Sequence, residues 1–406
     1  MHIIEIPSFF IPYGGEFCLE QAKTLRKLGH EVRILSVVQL SLKKDVRSFV
    51  SLPFGLTEYR ENDIPILQSY MRGIPLCVRR NVSRWVRNVH KLFRLYVEKY
   101  GVPDVIHAHC MKWAGYASML LSHEYHIPYV VTEHLSLMDL QEEFGTEYSP
   151  QIWQIEWLKR AYRDADMVIP VAHEIVFATQ RYYGSDYRWR EISNVVDTAF
   201  FYRVDKQPMK GRTVIVCCVA DFTYRKGYDI LFKAFAKCRE VVGDTLRLEL
   251  HIAGKNTQSS TCKQMASNAE VEDFVVAYGK MDREGIRSLL HRSDLFVLAS
   301  RSEVQPLVVL EAMSTGLPVV ATTAVPQSER IDGACFVVEL NDVDAMARQM
   351  CHVLKSRYFA EQYHTKDEVL SADDISEKVV ELVSTSRVGR QLENVFFDVC
   401  RRFSEK

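Results

Sequence analysis

DLFVLASRSEVQPLVVLEAMSTGLPVVAT, residues 294–322, holds one complete strand–helix–strand unit. DLFVLAS and LPVVAT are short apolar runs of strand length, and the segment between them keeps helical character. Pro306 follows the loop SEVQ and suits the first turn of a helix, where its missing N–H costs nothing. That helix runs through LVVLEAMST and stops at Gly316. The apolar stretch also carries two carboxylates, Glu303 and Glu311, eight positions apart. Glu303 falls in the loop before the helix and Glu311 about five residues inside it, ~7 Å further along the axis.

The same alternation recurs on both sides, which predicts parallel sheets covered by helices. HIIEIP is the first strand, and after the loop SFFIPYGGE a helix places Cys18, Ala22, Leu25 and Leu28 on one face. Gly29 stands where a helix C′ residue belongs and releases the chain into HEVRIL. The strands DVIHAH and PYVVTEH each end in histidine, and ligands of such sheets sit beyond the carboxyl ends of the strands. After ISNVVDTAFF the rhythm restarts with TVIVCCVAD, LRLELHIAG, DLFVLAS, LPVVAT and ACFVVEL. The intervening loop from Lys206 to Arg212, with Pro208 and Gly211, reads as an interdomain linker. A chain of 406 residues exceeds what one core sustains. The expectation is an α/β protein of two Rossmann-like doubly wound domains facing across a cleft, 1–200 and 201–385, with an amphipathic helix at 386–406 docking on the first.

Composition narrows the function. With Lys+Arg 51 against Asp+Glu 52 the net charge is -1, which gives no general attraction to nucleic acid. The ten cysteines show no C-x-x-C pair and suit a reducing compartment. HIIEIP is too short for a signal-peptide core, and no apolar run reaches membrane-spanning length. A cytoplasmic protein is expected.

Between the two glutamates lies the amino end of a helix, whose free N–H groups and positive pole attract anions. A ligand with hydroxyls at both ends and phosphate in the middle, such as a nucleotide sugar, fits that arrangement. Taken alone, two such glutamates are more often solvated or helix-capping residues. A glycosidase acid–base pair would instead flank an open scission point ~5 to 9.5 Å across.

The segment ASRSEVQPLVVLEAMSTGLPVVAT resembles the E-x7-E signature of the family-four retaining glycosyltransferases of GT-B fold. PYGGEFCLEQAKTLRKLGHEVRIL, PDVIHAH, IPYVVTEHLS, AYRDADMVIPVAHEI, ISNVVDTAFF and YRKGYDILFKAF follow in that family's order. The resemblance implies transfer of a hexosyl unit from a nucleoside-diphosphate sugar to a hydroxyl acceptor, without a metal or other cofactor. It assigns Glu303 and His134 to the transferred sugar, Glu311 to the ribose, and Lys226 with Gly227 to the diphosphate. Gly14, Gly15 and the stretch Val304, Gln305, Pro306 and Leu307 join the donor site on the same grounds, and His109 falls on the acceptor side. The family's phosphate-binding Arg is replaced by Asp221, so Arg225 is the candidate to supply that charge. EGFG is replaced by EVQP, and the usual Gly-Gly by Val325-Pro326. The competing readings are a GT-B epimerase or phosphorylase, and an inactive nucleotide-sugar-binding subunit, for which Asp221 is the motive.

Other features have a bland reading beside the functional one. Gly14-Gly15 is also an ordinary turn dipeptide. His107 and His109 share a strand face, but two imidazoles without a third ligand do not make a zinc site. Basic residues gather between Arg72 and Lys99, with Val82, Trp85, Val86, Val89, Phe93, Tyr96 and Val97 at helical spacing. Such a helix either buries its apolar stripe in the core or lies on an anionic membrane, which would bring the enzyme to the inner face of the cell membrane and to a carbohydrate or lipid-linked acceptor. Leu392, Val395, Phe396, Val399 and Phe403 form a stripe in the tail that must dock.

Overall fold

The computed structural model describes residues 1–42, 46–52, 55–134, 152–243, 245–363 and 369–405. The chain divides into two units, Met1–Val195 with Thr385–Lys406, and Val196–Ser384. Each is built on one sheet.

In the first unit the strands are β1 (His2–Pro7), β2 (Glu31–Leu40), β3 (Gly55–Glu61), β4 (Ile64–Arg72), β5 (Val105–His109), β6 (Tyr129–Glu133) and β7 (Met167–Pro170). Their order is β3-β4-β2-β1-β5-β6-β7, parallel throughout except for β3, which returns antiparallel to β4. The helices are α1 (Glu16–Lys27), α2 (Val46–Ser51), α3 (Val78–Tyr100), α4 (Tyr116–Tyr125), α5 (Gln154–Asp164) and α6 (Glu174–Tyr183). Alternation along β1 divides the core: Ile3 packs with Cys18, Ala22 and Leu25 of α1, while Ile4 and Ile6 pack with Trp85, Val89 and Phe93 of α3. Gly29 has φ 90 and ends α1 as its position predicts.

The second unit has β8 (Thr213–Val219), β9 (Arg247–Ala253), β10 (Val275–Ala277), β11 (Leu295–Leu298), β12 (Val319–Thr322) and β13 (Cys335–Val338). All are parallel, in the order β10-β9-β8-β11-β12-β13. Its helices are α7 (Tyr228–Val242), α8 (Ser260–Asn268), α9 (Arg283–Arg292), α10 (Leu307–Ser314), α11 (Val343–Tyr363) and α12 (Ala372–Val383). The strand order reverses between β1 and β5 in one sheet and between β8 and β11 in the other, the position beyond whose strand ends parallel sheets of this kind hold ligands.

The division falls at Val195–Val196, ahead of the expected boundary at 200/201, and again at Ser384–Thr385. The loop expected to be a linker lies inside the second unit. Lys206 Nζ donates to the carbonyls of Leu290 and Ser293, and Arg212 grips both carboxylate oxygens of buried Asp294 at 2.6 and 2.8 Å. Asp294 also accepts from Ile215 N at 2.9 Å. Polar, Pro- and Gly-containing sequence resembles a linker, but these side chains find partners in the domain wall. α12 stays in the second unit with Ala372 against Gly316. The returning segment is α13 (Thr385–Ser404), whose Val388, Leu392, Val395, Phe396 and Val399 are buried in the first unit. Gly389 meets Thr24 of α1 where a Cβ would come within 2.6 Å of its side chain, so any larger residue would have to push Thr24 aside.

All ten cysteines are free thiols. No helix among the described residues is long and apolar enough to cross a membrane.

Asp294→Ala would leave the Arg212 fork and the Ile215 amide without their acceptor. The expected cost is about 2–4 kcal/mol in the second unit, read as an earlier midpoint in urea unfolding. An unchanged midpoint would mean that residues 206–212 behave as a loose connector after all.

Candidate active site

At the second sheet's reversal, two loops are pressed together. The loop after β8 ends at Gly227, with φ 65, and a Cβ there would lie 1.9 Å from the Ala299 carbonyl oxygen just beyond β11. Only glycine permits both the backbone conformation and the approach. Arg301 fastens the contact: its N–H donates to Arg225 O at 2.7 Å. Its guanidinium donates to Tyr224 O at 2.7 Å and grips Asp229 of α7 at 2.8 and 3.0 Å.

This registration brings Lys226 and Glu303 together. Lys226 Nζ donates to Glu303 Oε1 at 2.6 Å, with the side chains 18% and 6% exposed. Ser300 Oγ donates to the same carboxylate oxygen, and Thr322 Oγ1 at the end of β12 donates to the Ser300 carbonyl. Glu303 is therefore held by a chain of bonds running across β11 and β12. Pro306 is the N-cap of α10, one position outside the expected first helical turn, because its ψ of 92 is extended while its carbonyl accepts from Val309 N at 2.8 Å. A proline cap offers no side-chain acceptor, and α10 has no acidic residue in its first turn. Its amino end is thus a positive pole without a side-chain cap or a first-turn acid to offset it. Gln305 is buried, Val304 and Leu307 are half-buried, and Glu311 is half-buried on the fifth residue of α10.

Asp221 has a job in the loop framework. Its Oδ1 accepts from Lys255 N at 2.8 Å, beside Gly254, where a Cβ would fall 2.0 Å from Ala220 O. A carboxylate here ties the β8 and β9 loops as an arginine at this position would not. Arg225 is exposed and forms no ion pair among the described residues.

At the first sheet's reversal, Gly14 and Gly15 have φ 107 and 91, and Gly15 N-caps α1. A Cβ on Gly15 would meet Phe9 O at 2.7 Å, so the fold itself requires this glycine. His107 and His109 do share a face, and β1 adds a third group that the histidine spacing could not reveal. Glu5 Oε2 accepts from His109 Nε2 at 2.6 Å, and His107 Nδ1 lies 2.8 Å from the same oxygen. All three are fully buried. These are hydrogen-bonding and charge-contact distances. Burial pushes the Glu5 carboxyl up, but the His107 charge and the two imidazole contacts outweigh it and hold the group down at about 2.

His134 follows β6 with its ring 3.9 Å from that of Phe17 and 6.0 Å from that of His109. Burial, reinforced by His109 and His107, holds its pKa well below the ordinary histidine value, so it is neutral at physiological pH. Its Nε2 is buried and has no hydrogen-bond partner among the described residues. Glu133 fixes this corner, accepting from His134 N at 2.8 Å, Met111 N at 3.0 Å and Tyr162 OH at 2.7 Å. A cavity of about 490 Å³ opens nearby, lined by Phe9, Phe10, Tyr13, Gln39, Lys112 and Trp113 among others. Cys110 (φ 69) and Trp113 (φ 72, ψ -66) border it in sparsely populated backbone regions, pinned by Ser8 Oγ, which accepts from Ala114 N and donates to Lys112 O.

The sequence reading missed Arg301, Ser300, Glu133 and Glu5. Glu5 had a signal, since a carboxylate in the middle of the apolar strand HIIEIP must find a buried partner. The others are ordinary polar residues until the loops close around them.

The profile of the family described as Glycosyltransferase Family 4 matches residues 14–200, and that of Glycosyl transferases group 1 matches residues 203–368. The chain belongs to this family of group 1 glycosyltransferases. Among curated relatives it is 25% identical over 245 residues to the N-acetyl-alpha-D-glucosaminyl L-malate synthase of Bacillus anthracis, covering 58% of this chain and 61% of that one. It is 25% identical over 340 residues to the mannosylfructose-phosphate synthase of Agrobacterium fabrum, covering 76% and 71%. In fold it resembles the sucrose-phosphate synthase of Thermosynechococcus elongatus, with TM-score 0.75, 18% identity and coverage of 98% and 99%. It also resembles Anabaena HepE in complex with UDP-glucose, with TM-score 0.67, 17% identity and coverage of 98% and 100%. These likenesses fix the architecture as GT-B.

Glu5→Gln tests the buried cluster through its pH dependence. A folded pKa near 2 against an ordinary 4.5 means that ionised Glu5 adds stability above pH 4.5, and that this stability drains away as pH falls toward 2. The variant should melt below the wild type at pH 7, and the gap should narrow between pH 4.5 and 2. A gap independent of pH would dismiss the ionic role.

Proposed function

We propose that this protein is a retaining glycosyltransferase that moves a hexosyl unit from a nucleoside-diphosphate sugar to a hydroxyl on a carbohydrate or lipid-linked acceptor. The observation that carries the reading is the Lys226–Glu303 pair at the second sheet's reversal, in the loops on either side of it and just ahead of the amino end of α10. A cation and a positive helix pole suit a diphosphate, and a carboxylate beside them suits the hydroxyls of the attached sugar. Structural relatives such as HepE are described with UDP-glucose bound, which supports a donor of this class.

On this reading Lys226 exchanges its partner when donor arrives: the ammonium turns to the phosphate and releases Glu303 to the hexose. Arg225, exposed and without an ion pair among the described residues, adds the charge that Asp221 does not supply. Glu311 takes the ribose, and the N–H groups of Val304, Gln305 and Leu307 around Pro306 face the phosphates. Gly227 is required by its contact with Ala299, and its donor role is to place Lys226. In the first unit, neutral His134 offers Nε2 to the sugar, His109 supports it from the acceptor side, and the Gly14-Gly15 amides approach the donor. The aromatic cavity at Phe9, Tyr13 and Trp113 suits an acceptor sugar ring.

Retention of configuration follows if the acceptor attacks on the face from which the diphosphate leaves, with the departing phosphate taking the acceptor proton. No side chain then has to change protonation state. His134 agrees with that, being held neutral. Charge on the leaving group falls to Lys226, Arg225 and α10, so no metal or cofactor is required. The reading places the enzyme in the cytoplasm.

Lys226→Ala should lower kcat by about 10²–10³-fold, measured with saturating donor, and near-wild-type turnover would remove Lys226 from the mechanism. EDTA should leave the rate unchanged, and product NMR should show the donor's anomeric configuration kept. UDP-, GDP- and ADP-sugars can be screened by thermal shift, since a ligand of the folded state raises the midpoint. Failure of every nucleotide sugar to do so would count against the donor class itself.

A further inference from the structure

The basic segment read in the sequence is resolved by the fold into two parts. Several of its cations are used within the first unit: Arg72 donates to the carbonyls of Phe49 and Leu52, Arg79 stacks over Trp153 and Trp157, and Lys99 pairs with Glu58. What remains is Arg80, Arg84, Arg87, Lys91 and Arg94 on α3. At 3.6 residues per turn these five fall within about 40° of one line along the helix, and the line runs ~21 Å. The opposite face, with Val82, Trp85, Val89, Phe93 and Tyr96, is buried in the core.

None of the five forms a salt bridge among the described residues, although Arg84 donates to Arg72 O and Arg87 to Ser83 O. Among the described residues, α3 itself carries one acid, Glu98, and Glu124 of α4 faces His90 at 3.3 Å. Like charges at i,i+3 and i,i+4 repel and weaken a helix. A row of five therefore opposes the helix that carries it. Leu76, 95% exposed, precedes α3 at the row's amino-terminal end, and Leu95, 36% exposed, lies beside Lys91 and Arg94.

We propose that this face of α3 is an adsorption surface for anionic lipid headgroups. It goes beyond the transfer reaction and rests on none of the residues assigned to it. Because the apolar stripe is committed to the core, the helix cannot sink into a bilayer, and contact is electrostatic with Leu76 and Leu95 as shallow apolar anchors. The chain's net charge of -1 gives no overall attraction, so this face must orient the protein. The exposed apolar residues favour a bilayer over a soluble polyanion, which would bury none of them.

The test is sedimentation of the full chain with vesicles of neutral lipid alone and with about a third anionic lipid. Each basic residue near such a surface is worth about a fivefold gain in partitioning. The combined variant Arg80→Gln, Arg87→Gln and Arg94→Gln should therefore bind about a hundredfold more weakly. Its side chains point away from the core, and a wild-type thermal midpoint checks that it is folded. Wild type should pellet only with anionic vesicles and come off as salt rises to about 0.5 M, where screening is strong. Leu76→Ser should weaken pelleting without changing retention on polyphosphate. Equal pelleting of wild type and the triple variant, or salt-sensitive binding of polyphosphate with no binding of vesicles, would overturn the proposal.

Discussion

The second unit depends on one close approach: the Gly227 backbone against the Ala299 carbonyl, at a distance no side chain allows. Two loops from opposite sides of the strand-order reversal are thereby made into one surface. Arg301 secures it from three directions, through its own N–H, the Tyr224 carbonyl and the Asp229 carboxylate. The backbones that carry Lys226 and Glu303 are thereby held in one register. Catalysis by a preorganised field needs this kind of rigidity, since charges that must first be gathered contribute less.

The ligand-free pairing of Lys226 with Glu303 has an energetic logic. Each would otherwise be a poorly hydrated charge, most of all Glu303 with its side chain 6% exposed. Pairing lowers that cost until a ligand supplies both partners at once, a phosphate for the cation and a hydroxyl for the carboxylate. The first unit handles buried charge differently. Glu5 is answered by two imidazoles inside the sheet, beneath His134, and that packing supports a ring whose own nitrogen has no partner among the described residues. In both units the polar groups at the reversal point rest on a layer of polar groups bonded to one another.

Departures from the family pattern also find physical explanations. Asp221, which raised the possibility of lost activity, anchors the Lys255 amide where two loops meet. The loop 206–212 shows the reverse error, because its composition is that of a connector while Arg212 and Asp294 make it part of the wall. Composition reports what a segment can tolerate, and only its partners report what it does. The basic helix teaches the same lesson: its apolar stripe, which suited either core or membrane, lies in the core, while Arg80, Arg87, Lys91 and Arg94 are left exposed.

What the sequence by itself determined was whatever repeats locally: the alternation of apolar strands and helices, the stop at Gly29, the helix after Pro306 and the order of the motifs. Those features follow from backbone geometry and from periods of two and 3.6 residues, which need no distant partner. Tertiary structure alone decided that Lys226 meets Glu303 across 77 positions of chain, that Glu5 joins His107 and His109, and that residues 385–404 return to the first unit while 372–383 do not. Such pairings depend on which strands lie side by side in the sheet. Strand order is set by the packing of the whole unit and leaves no mark at either residue alone.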